Sequence, residues 1–340
     1  MTTLLTPFEY SRPQTLGEVF QVIDRLQNKD QRFVFSGGGT DVIPLLKNKN
    51  ERAQTVISLA GLQELKQIKL LSPNKLQIGA LVSLASLVNN RDVQQLVPAL
   101  AKSARMVASP QIRNQATIGG NILVTNRCLY FNQSELNREA MSPCFKADGD
   151  VCHVVKSAKR GKLPLCRARI VSDTVPVLLL LDAVLVLTDP RGERRVRLKD
   201  LYLSDGIYCK DIQPDEVLVY IEIVTSPTKK IRYEKLTQRN AMDFPSMGIA
   251  VGVETLHEGE RNEYSYLSVA LSGVHTHPEL LEFCSQDHGS YREMVTDACK
   301  QATRHALTFQ QDLFPRGYRK KMVEVYLRRA IKNLTGDLWI

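Results

Sequence analysis

The sequence predicts an α+β protein of two or three domains, and three observations carry that expectation. Helix-period and strand-period segments are interleaved through the first 225 residues, whereas the final third sets alternating apolar strands ahead of two long helical stripes. The length of 340 residues exceeds what one hydrophobic core ordinarily serves. A hydrophobic share of 43% beside a charged share of 24% is that of a globular chain with a sizeable core. Disorder and collagen-like repeats are excluded.

Taken in order, Thr15 and Glu18 form a capping box ahead of the stripe Leu16, Val19, Phe20, Ile23 and Leu26, which predicts a helix. The β-type run Phe33-Val34-Phe35 leads into Ser36-Gly37-Gly38-Gly39-Thr40-Asp41. A short helix with Val42, Ile43, Leu45 and Leu46 follows, then a strand from Thr55, and the first αβ unit is placed at residues 1–55. The second unit, 56–225, opens with strand-like runs at 67–70 and 75–79 and helical patterns at 83–88 and 98–107. It continues through a turn-rich stretch, 109–121, and an aperiodic one, 128–166, expected to be a loop insert spanning about 123–170. After Ser172-Asp173-Thr174-Val175-Pro176 come a buried apolar helix and a strand at 184–187. The third unit, 226–340, begins past Ser226-Pro227, with antiparallel strands at 247–253 and 266–271 and helices at 291–309 and 319–334 packed on them.

Charge is unevenly spread. The formal net charge is +9, yet 127–169 holds nine Lys/Arg against four Asp/Glu, and 316–332 holds seven against one. Such patches suit an acidic partner surface. No nucleic-acid recognition motif accompanies them and aromatics are 6% of the chain, so no nucleic acid is expected. The longest apolar stretch, Val175 to Leu187, is broken by Asp182 and is too short to span a bilayer. The start, MTTLLTPFEYSRPQ, has neither the basic beginning nor the apolar core of a signal peptide. A cytoplasmic chain with no membrane segment is expected.

Two features carry chemistry. Gly37-Gly38-Gly39 and Gly119-Gly120 can let backbone approach a ligand and aim several N–H groups at one anion. Neither is a G-x-G-x-x-G fingerprint nor a Walker A loop, but two nests would suit the two phosphates of a pyrophosphate. Plain turns are the competing reading. Of seven cysteines, four (Cys128, Cys144, Cys152, Cys166) fall within 39 residues, spaced C-x15-C, C-x7-C and C-x13-C. Structural zinc sites use close pairs, and none is present. Four spaced thiolates can instead hold a 4Fe–4S cluster, with a zinc-stabilised loop and free thiols left open. Cys209, Cys284 and Cys299 are expected to be buried small hydrophobes. From residue type alone, Asp173 reads as a helix N-cap and Lys235 as a solvated strand residue.

The segments SGGGTDVIPLLK, SPQIRNQATIGGNI, SDTVPVLLLLDA and YEKLTQRNAMDF occur in this order, followed by LSGVHTHPELL and GYRKKMVEVYLRRAI. So arranged, they resemble the FAD-binding subunit of the molybdenum hydroxylase family, that of xanthine and carbon monoxide dehydrogenases, over nearly the whole chain. The resemblance implies a vanillyl-alcohol-oxidase-type FAD-binding domain in two lobes, 1–55 and 56–225, and a C-terminal α+β domain. It implies a first pyrophosphate loop of Val34, Phe35, Ser36, Gly37, Gly38, Gly39, Thr40 and Asp41, and a second of Thr117, Ile118, Gly119, Gly120 and Asn121. Further FAD contacts are implied at Val107, Asp173 and Lys235, where a cationic Lys235 would stabilise the anionic reduced flavin. Ser36 and the third glycine depart from the family's usual Ala-Gly-Gly-Thr/His.

Within that family, the four-cysteine insert, with TNRCLYFNQ and KADGDVC around it, resembles the β subunit of 4-hydroxybenzoyl-CoA reductases, although the interval from Cys152 to Cys166 is longer. This implies a 4Fe–4S cluster on Cys128, Cys144, Cys152 and Cys166, with His153 a spare donor. The chain would then be an electron-transfer subunit, inactive alone, of a dimer of heterotrimers. The other two subunits would hold a molybdenum–pterin cofactor and 2Fe–2S clusters. The implied reaction is reductive removal of a phenolic hydroxyl from an aromatic acyl-CoA, fed by a ferredoxin-like carrier at the basic insert residues Lys156, Lys159, Arg160 and Lys162. An oxidising aldehyde or purine dehydrogenase subunit is the nearer alternative, and a zinc-stabilised RNA- or protein-binding module the distant one. His275-x-His277 has strand-like spacing but no evident third ligand, so a plain family loop is expected. The basic C-terminal helix is expected to present a solvated face or a subunit contact.

Overall fold

The computed structural model describes residues 5–155, 166–239, 242–255 and 264–336; the insert's Lys156, Lys159, Arg160 and Lys162 lie outside them. Three sheets organise these residues, with strands numbered here in chain order. The first is parallel, with β1 (Glu9–Ser11), β2 (Phe33–Ser36) and β3 (Thr55–Ser58) in the order β1-β3-β2. The second is antiparallel and contains β4 (Ile68–Ser72), β5 (Lys75–Gly79), β6 (Val184–Asp189), β7 (Gly192–Arg197) and β8 (Val217–Val224), ordered β4-β5-β8-β6-β7. The third is an antiparallel sheet, β12-β11-β10-β9, of β9 (Lys229–Leu236), β10 (Met247–Thr255), β11 (Tyr264–Ser272) and β12 (Glu279–Cys284).

The first helix, Leu16–Gln27, starts as its sequence predicts: the Thr15 hydroxyl accepts from the Glu18 N–H. Glu18 reaches back to the Gln14 N–H at 2.7 Å, one residue beyond the usual capping-box partner. Val19, Ile23 and Leu26 pack on Ile57, Leu62 and Leu65, each burial worth about 2 kcal/mol. The same cluster takes in Val217 and Val219 of β8, so the first two sheets share apolar contact. β3 begins at Thr55, where the sequence reading ended the first unit, and the first sheet therefore reaches Ser58.

The largest core joins the second sheet to helices Leu84–Asn89, Pro98–Arg105 and Val175–Leu180, and reaches Tyr233, Ala250 and Ala270 of the third. The opposite face of the third sheet is covered by helices Tyr291–His305 and Arg316–Thr335. The turn-rich 109–121 resolves into two short helices, Pro110–Gln115 and Ile118–Ile122, begun by Ser109 and Thr117 side chains. Turn formers are also helix caps, and here they cap.

Two expectations need correction. The C-terminal basic helix is not uniformly solvated. Arg319 is fully buried, its Nε donating to the Ser246 carbonyl and its Nη1 to the Phe309 carbonyl, both at 3.1 Å, with Nη2 on the Gly273 carbonyl. Arg328 fits the expectation, pairing with Glu324 at 2.9 Å on the outer face. Nor is the insert merely a loop. Its neck is closed by reciprocal 2.8 Å hydrogen bonds between the backbones of Arg127 and Arg169. Inside, helix Glu135–Ala140 docks on the first lobe through Arg138, whose Nη2 donates to the carbonyls of Asn48 and Lys49 at 3.0 Å. Among the described residues, no helix is long and apolar enough to cross a membrane.

Candidate functional site

The two glycine clusters are neighbours. A Cβ on Gly38 would overlap the Gln115 carbonyl, and one on Gly37 would stand 2.8 Å from the Thr117 hydroxyl oxygen. The loop after β2 is thus pressed against the turn between the two short helices. Between them lies a cleft lined by Gly37, Gly38, Lys66, Ser83, Ser86 and Thr117. Gly39 sits at φ +72°, a left-handed conformation that favours glycine.

The clusters differ in what their backbone can offer. Among the described residues, the N–H groups of Gly38, Gly39 and Thr40 donate to no protein acceptor. In the second cluster the donors are spent: Ile118 N–H on the Val82 carbonyl at 3.0 Å, Gly119 N–H on Ala80 at 2.9 Å, Gly120 N–H on the Thr117 hydroxyl at 3.1 Å. The expected pair of open nests is therefore one nest facing one wall. Gly120 remains exposed, and only the Thr117 hydroxyl lies near where its Cβ would be.

Asp173 and Lys235 meet in the interior. Lys235, on β9, donates to Asp173 Oδ2 at 3.0 Å and to the Met106 carbonyl at 2.8 Å, while Tyr233 donates its hydroxyl to Asp173 Oδ1 at 2.7 Å. Both side chains of the ion pair are nearly inaccessible, 4% and 3% exposed, which excludes a solvated Lys235. Burial pushes the Asp173 carboxyl up to about 6 against the opposing pull of Lys235 and Tyr233. Asp173 does not cap the following helix either: the Val175 N–H goes to the Ser172 hydroxyl at 3.2 Å. Asn121 Oδ1 accepts from the hydroxyls of Ser172 and Thr174 at 2.8 and 2.7 Å, fixing the second glycine turn to this step. Val107 follows Met106 directly, so it lies one residue from the Lys235 anchor.

The four insert cysteines line one cavity, with Phe131, Phe145 and Val154 around them. Among the described residues no three of these thiols lie within 4.8 Å of one another. Tetrahedral zinc, with Zn–S bonds of about 2.3 Å, would draw sulfurs to about 3.8 Å. The thiols are thus not gathered as a bound zinc would gather them, and the lining adds Lys146, His153 and Arg167 to the aromatic and aliphatic side chains. Burial raises the Cys128 thiol, and backbone N–H groups of Tyr130 and Phe131 oppose that shift. Burial likewise pushes Cys166 up to about 12, with the Ala168 N–H donating to its sulfur at 3.4 Å. N–H donors at thiolate sulfurs are among the groups that tune iron–sulfur centres. Lys146 lies beside Cys166, over the Phe131 ring at 5.2 Å, its Nζ donating to the Gly206 carbonyl at 2.6 Å. His153 lines the same cavity while bonded to the Ser142 carbonyl at 2.8 Å. Cys209 and Cys299 are buried as expected, and Cys284 is half-buried.

One contact links the cleft to the cavity. Arg127, beside Cys128, pairs with Asp41 at the end of the first glycine loop and stacks 4.9 Å from the Phe244 ring centroid. Burial lowers its guanidinium to about 10. Neither Arg127 nor Tyr233 stands out in the sequence, although each adjoins a motif that does: Tyr233 opens the Tyr-x-Lys step and Arg127 precedes Cys128.

Residues 6–225 match the family model described as the FAD binding domain in molybdopterin dehydrogenase. The chain belongs to this family. Its sheets, glycine turns and buried Asp173–Lys235 pair are thus features of an oxidoreductase subunit whose family binds FAD. It is 29% identical over 285 residues to the aldehyde oxidoreductase FAD-binding subunit PaoB of Escherichia coli strain K12, covering 81% of this chain and 84% of that one. It is 27% identical over 244 residues to the xanthine dehydrogenase FAD-binding subunit of Escherichia coli O157:H7, covering 71% of this chain and 66% of that one. A chain of the carbon monoxide dehydrogenase from Hydrogenophaga pseudoflava superposes with TM-score 0.74 at 22% identity, covering 98% and 99% of the two chains, a likeness of fold.

Proposed function

We propose that this chain is the FAD- and 4Fe–4S-bearing electron-transfer subunit of a cytoplasmic molybdenum-hydroxylase complex. The observation that carries the reading is the convergence of Cys128, Cys144, Cys152 and Cys166 on one cavity, separated more widely than zinc would hold them. When bound, the two groups supply electron exchange. The residues then have distinct tasks. Of Val34 to Asp41, the first three residues are the end of β2 rather than loop, and the turn after them would face the anion, with the free N–H groups of Gly38, Gly39 and Thr40 positioned to receive pyrophosphate oxygens. Thr117 to Asn121 form the opposing wall, where Gly120 lets the ligand lie against backbone. Val107 would border the flavin ring, while Asp173 and Lys235, 3% and 4% exposed, would act on it from within the protein rather than by direct contact. The Lys235 charge is largely offset by Asp173, so the pair orients donors there more than it adds a free positive field.

The lobes correspond to a vanillyl-alcohol-oxidase-type domain, the first reaching the end of β3 at Ser58 rather than residue 55 and the second continuing to 225, with the C-terminal domain at 226–340. The partners are a molybdenum–pterin catalytic subunit and a 2Fe–2S subunit, assembled as a dimer of heterotrimers. For the complex's reaction, the oxidising alternative now takes precedence, because the relatives compared are FAD subunits of an aldehyde oxidoreductase and a xanthine dehydrogenase. The 4-hydroxybenzoyl-CoA reductase reading, with a ferredoxin-like electron donor, rests on the four-cysteine insert and its flanking segments.

Anaerobic purification of the complex, with iron, acid-labile sulfide and flavin analysis, tests the assignment. One FAD and about four iron and four sulfide assigned to this chain are expected. Zinc in the insert, or a full FAD complement without any iron on this chain, refutes the cluster. Turnover with aldehydes and purines, compared with reduction of aromatic acyl-CoA thioesters, decides the reaction.

A further inference from the structure

The β11–β12 connection brings together His275, His277 and Glu279, whose ligand atoms lie within 4.8 Å of one another. The third donor missed in the sequence is Glu279, the first residue of β12, two positions beyond His277 on the same side of the chain. His277 Nε2 stands 3.2 Å from one Glu279 oxygen, and His305 Nδ1, from the last turn of helix Tyr291–His305, stands 3.6 Å from the other.

Thr276 settles which ring nitrogens carry protons. Its hydroxyl donates to the Ser204 carbonyl at 2.9 Å, so towards the imidazoles it can only accept. It lies 3.0 Å from His275 Nδ1 and 3.3 Å from His277 Nδ1. Both Nδ1 atoms are therefore the protonated ones, leaving each Nε2 with its lone pair. A carboxylate oxygen then faces the lone pair of His277 Nε2 at 3.2 Å. Two acceptors at that distance need a cation between them, either a second proton on the ring or a metal ion. Two neutral imidazoles with hydrogen-bonded Nδ1–H groups and one carboxylate form a donor set suited to zinc, and unlike the all-oxygen sets of calcium and magnesium.

We infer that His275 Nε2, His277 Nε2 and Glu279 bind one divalent transition ion of the zinc class, with His305 able to complete the site. Its role is a clamp. The His275 carbonyl accepts from the Ile170 N–H at 3.1 Å, and Asn126 Nδ2 donates to the carbonyls of Ala168 and Thr276 at 3.1 and 2.6 Å. An ion here would stiffen the β11–β12 connection, which these hydrogen bonds tie to the base of the insert.

The test equilibrates the full-length chain with zinc, removes loosely held metal by dialysis, and combines metal counting with zinc-edge X-ray absorption. One zinc per chain with nitrogen and oxygen ligands only is expected. Affinity should fall about tenfold or more in His277→Gln and in Glu279→Gln, and about tenfold in Thr276→Val, which keeps both imidazoles but removes the group that orients them. Cys166→Ala should retain the zinc. No zinc held by the unmodified chain, or retention unchanged in both ligand variants, overturns the site and leaves an ordinary His–Glu ion pair. Sulfur in the absorption spectrum also overturns it, and separately implicates the insert thiols, so that failure of this site and failure of the four-thiol cluster are told apart.

Discussion

Asp41, the last residue of the first glycine loop, and Arg127, the residue before the first insert cysteine, hold each other in an ion pair. Through it the first glycine loop and the thiol cavity share one hinge of charge, even though the sequence separates the two residues by 86 positions. Arg127 is the more enclosed partner, 13% exposed against 31% for Asp41. Removing the carboxylate leaves a guanidinium that burial already disfavours. Asp41→Asn should therefore lower stability by about 2 kcal/mol, read from urea unfolding. The double variant Asp41→Asn/Arg127→Met should recover much of that loss, because no unpaired charge is left behind. Additive losses in the double variant would show that the pair is not coupled.

Gly38 and Gly120 should respond differently to a side chain. At Gly38 a Cβ meets the backbone at Gln115, so Gly38→Val should disturb the fold itself and lower both melting temperature and FAD content. At Gly120 a Cβ meets only the Thr117 hydroxyl, at 3.1 Å, a tight contact that a small shift of that side chain relieves. Gly120→Val should keep nearly the wild-type circular dichroism and still lose FAD. Full flavin occupancy in that variant would remove Gly120 from the ligand-facing wall.

Lys235 holds the Asp173 carboxyl lower than burial alone would. Lys235→Met should therefore move its ionisation above about 6, seen by pH-dependent infrared difference spectra against Asp173→Asn. The linkage has a definite sign. A folded-state value of about 6, above the ordinary 3.8, means that the folded chain keeps a proton the unfolded chain releases. The contribution of Asp173 to stability is most favourable below 3.8, declines as pH rises to about 6, and is level above it. In Lys235→Met that decline should extend to higher pH. An unmoved titration would mean that the two groups do not sense each other.

Cys166→Ala should remove about four iron per chain while leaving most FAD bound, since the glycine turns lie outside the insert's neck. Cys209→Ala supplies the control. Cys209 is buried but does not line the four-thiol cavity, so its loss should leave iron unchanged. Equal iron loss in both variants would point to a general collapse of the insert.

What the sequence made legible was local. The Thr15 cap, the apolar stripe of the first helix and the long C-terminal helices depend on neighbours within a few residues, and they appear where the pattern puts them. β7 was missed because its charged side chains hide the strand period. Arg194 and Arg195 find Glu216 and Glu222 only across the sheet, at 2.8 and 2.9 Å. Arg319 likewise has no local signature of burial, because its three carbonyl partners come from separate segments. The glycine clusters were visible as clusters, but their unequal supply of free N–H groups was not, since Val82 and Ala80 consume the second cluster's donors from another part of the chain. The Asp173–Lys235 contact spans 62 positions and belongs to the same class of information.

The two-residue neck at Arg127 and Arg169 makes the intervening segment a removable cassette in the topological sense. Its ends are already a hydrogen bond apart, so the surrounding chain follows nearly the same path whether the excursion is long or short. Closing a loop costs free energy only logarithmically in its length, and a doubling adds about 0.6 kcal/mol. A lineage could therefore gain or shed the thiol-bearing excursion without redesigning the sheets beneath it.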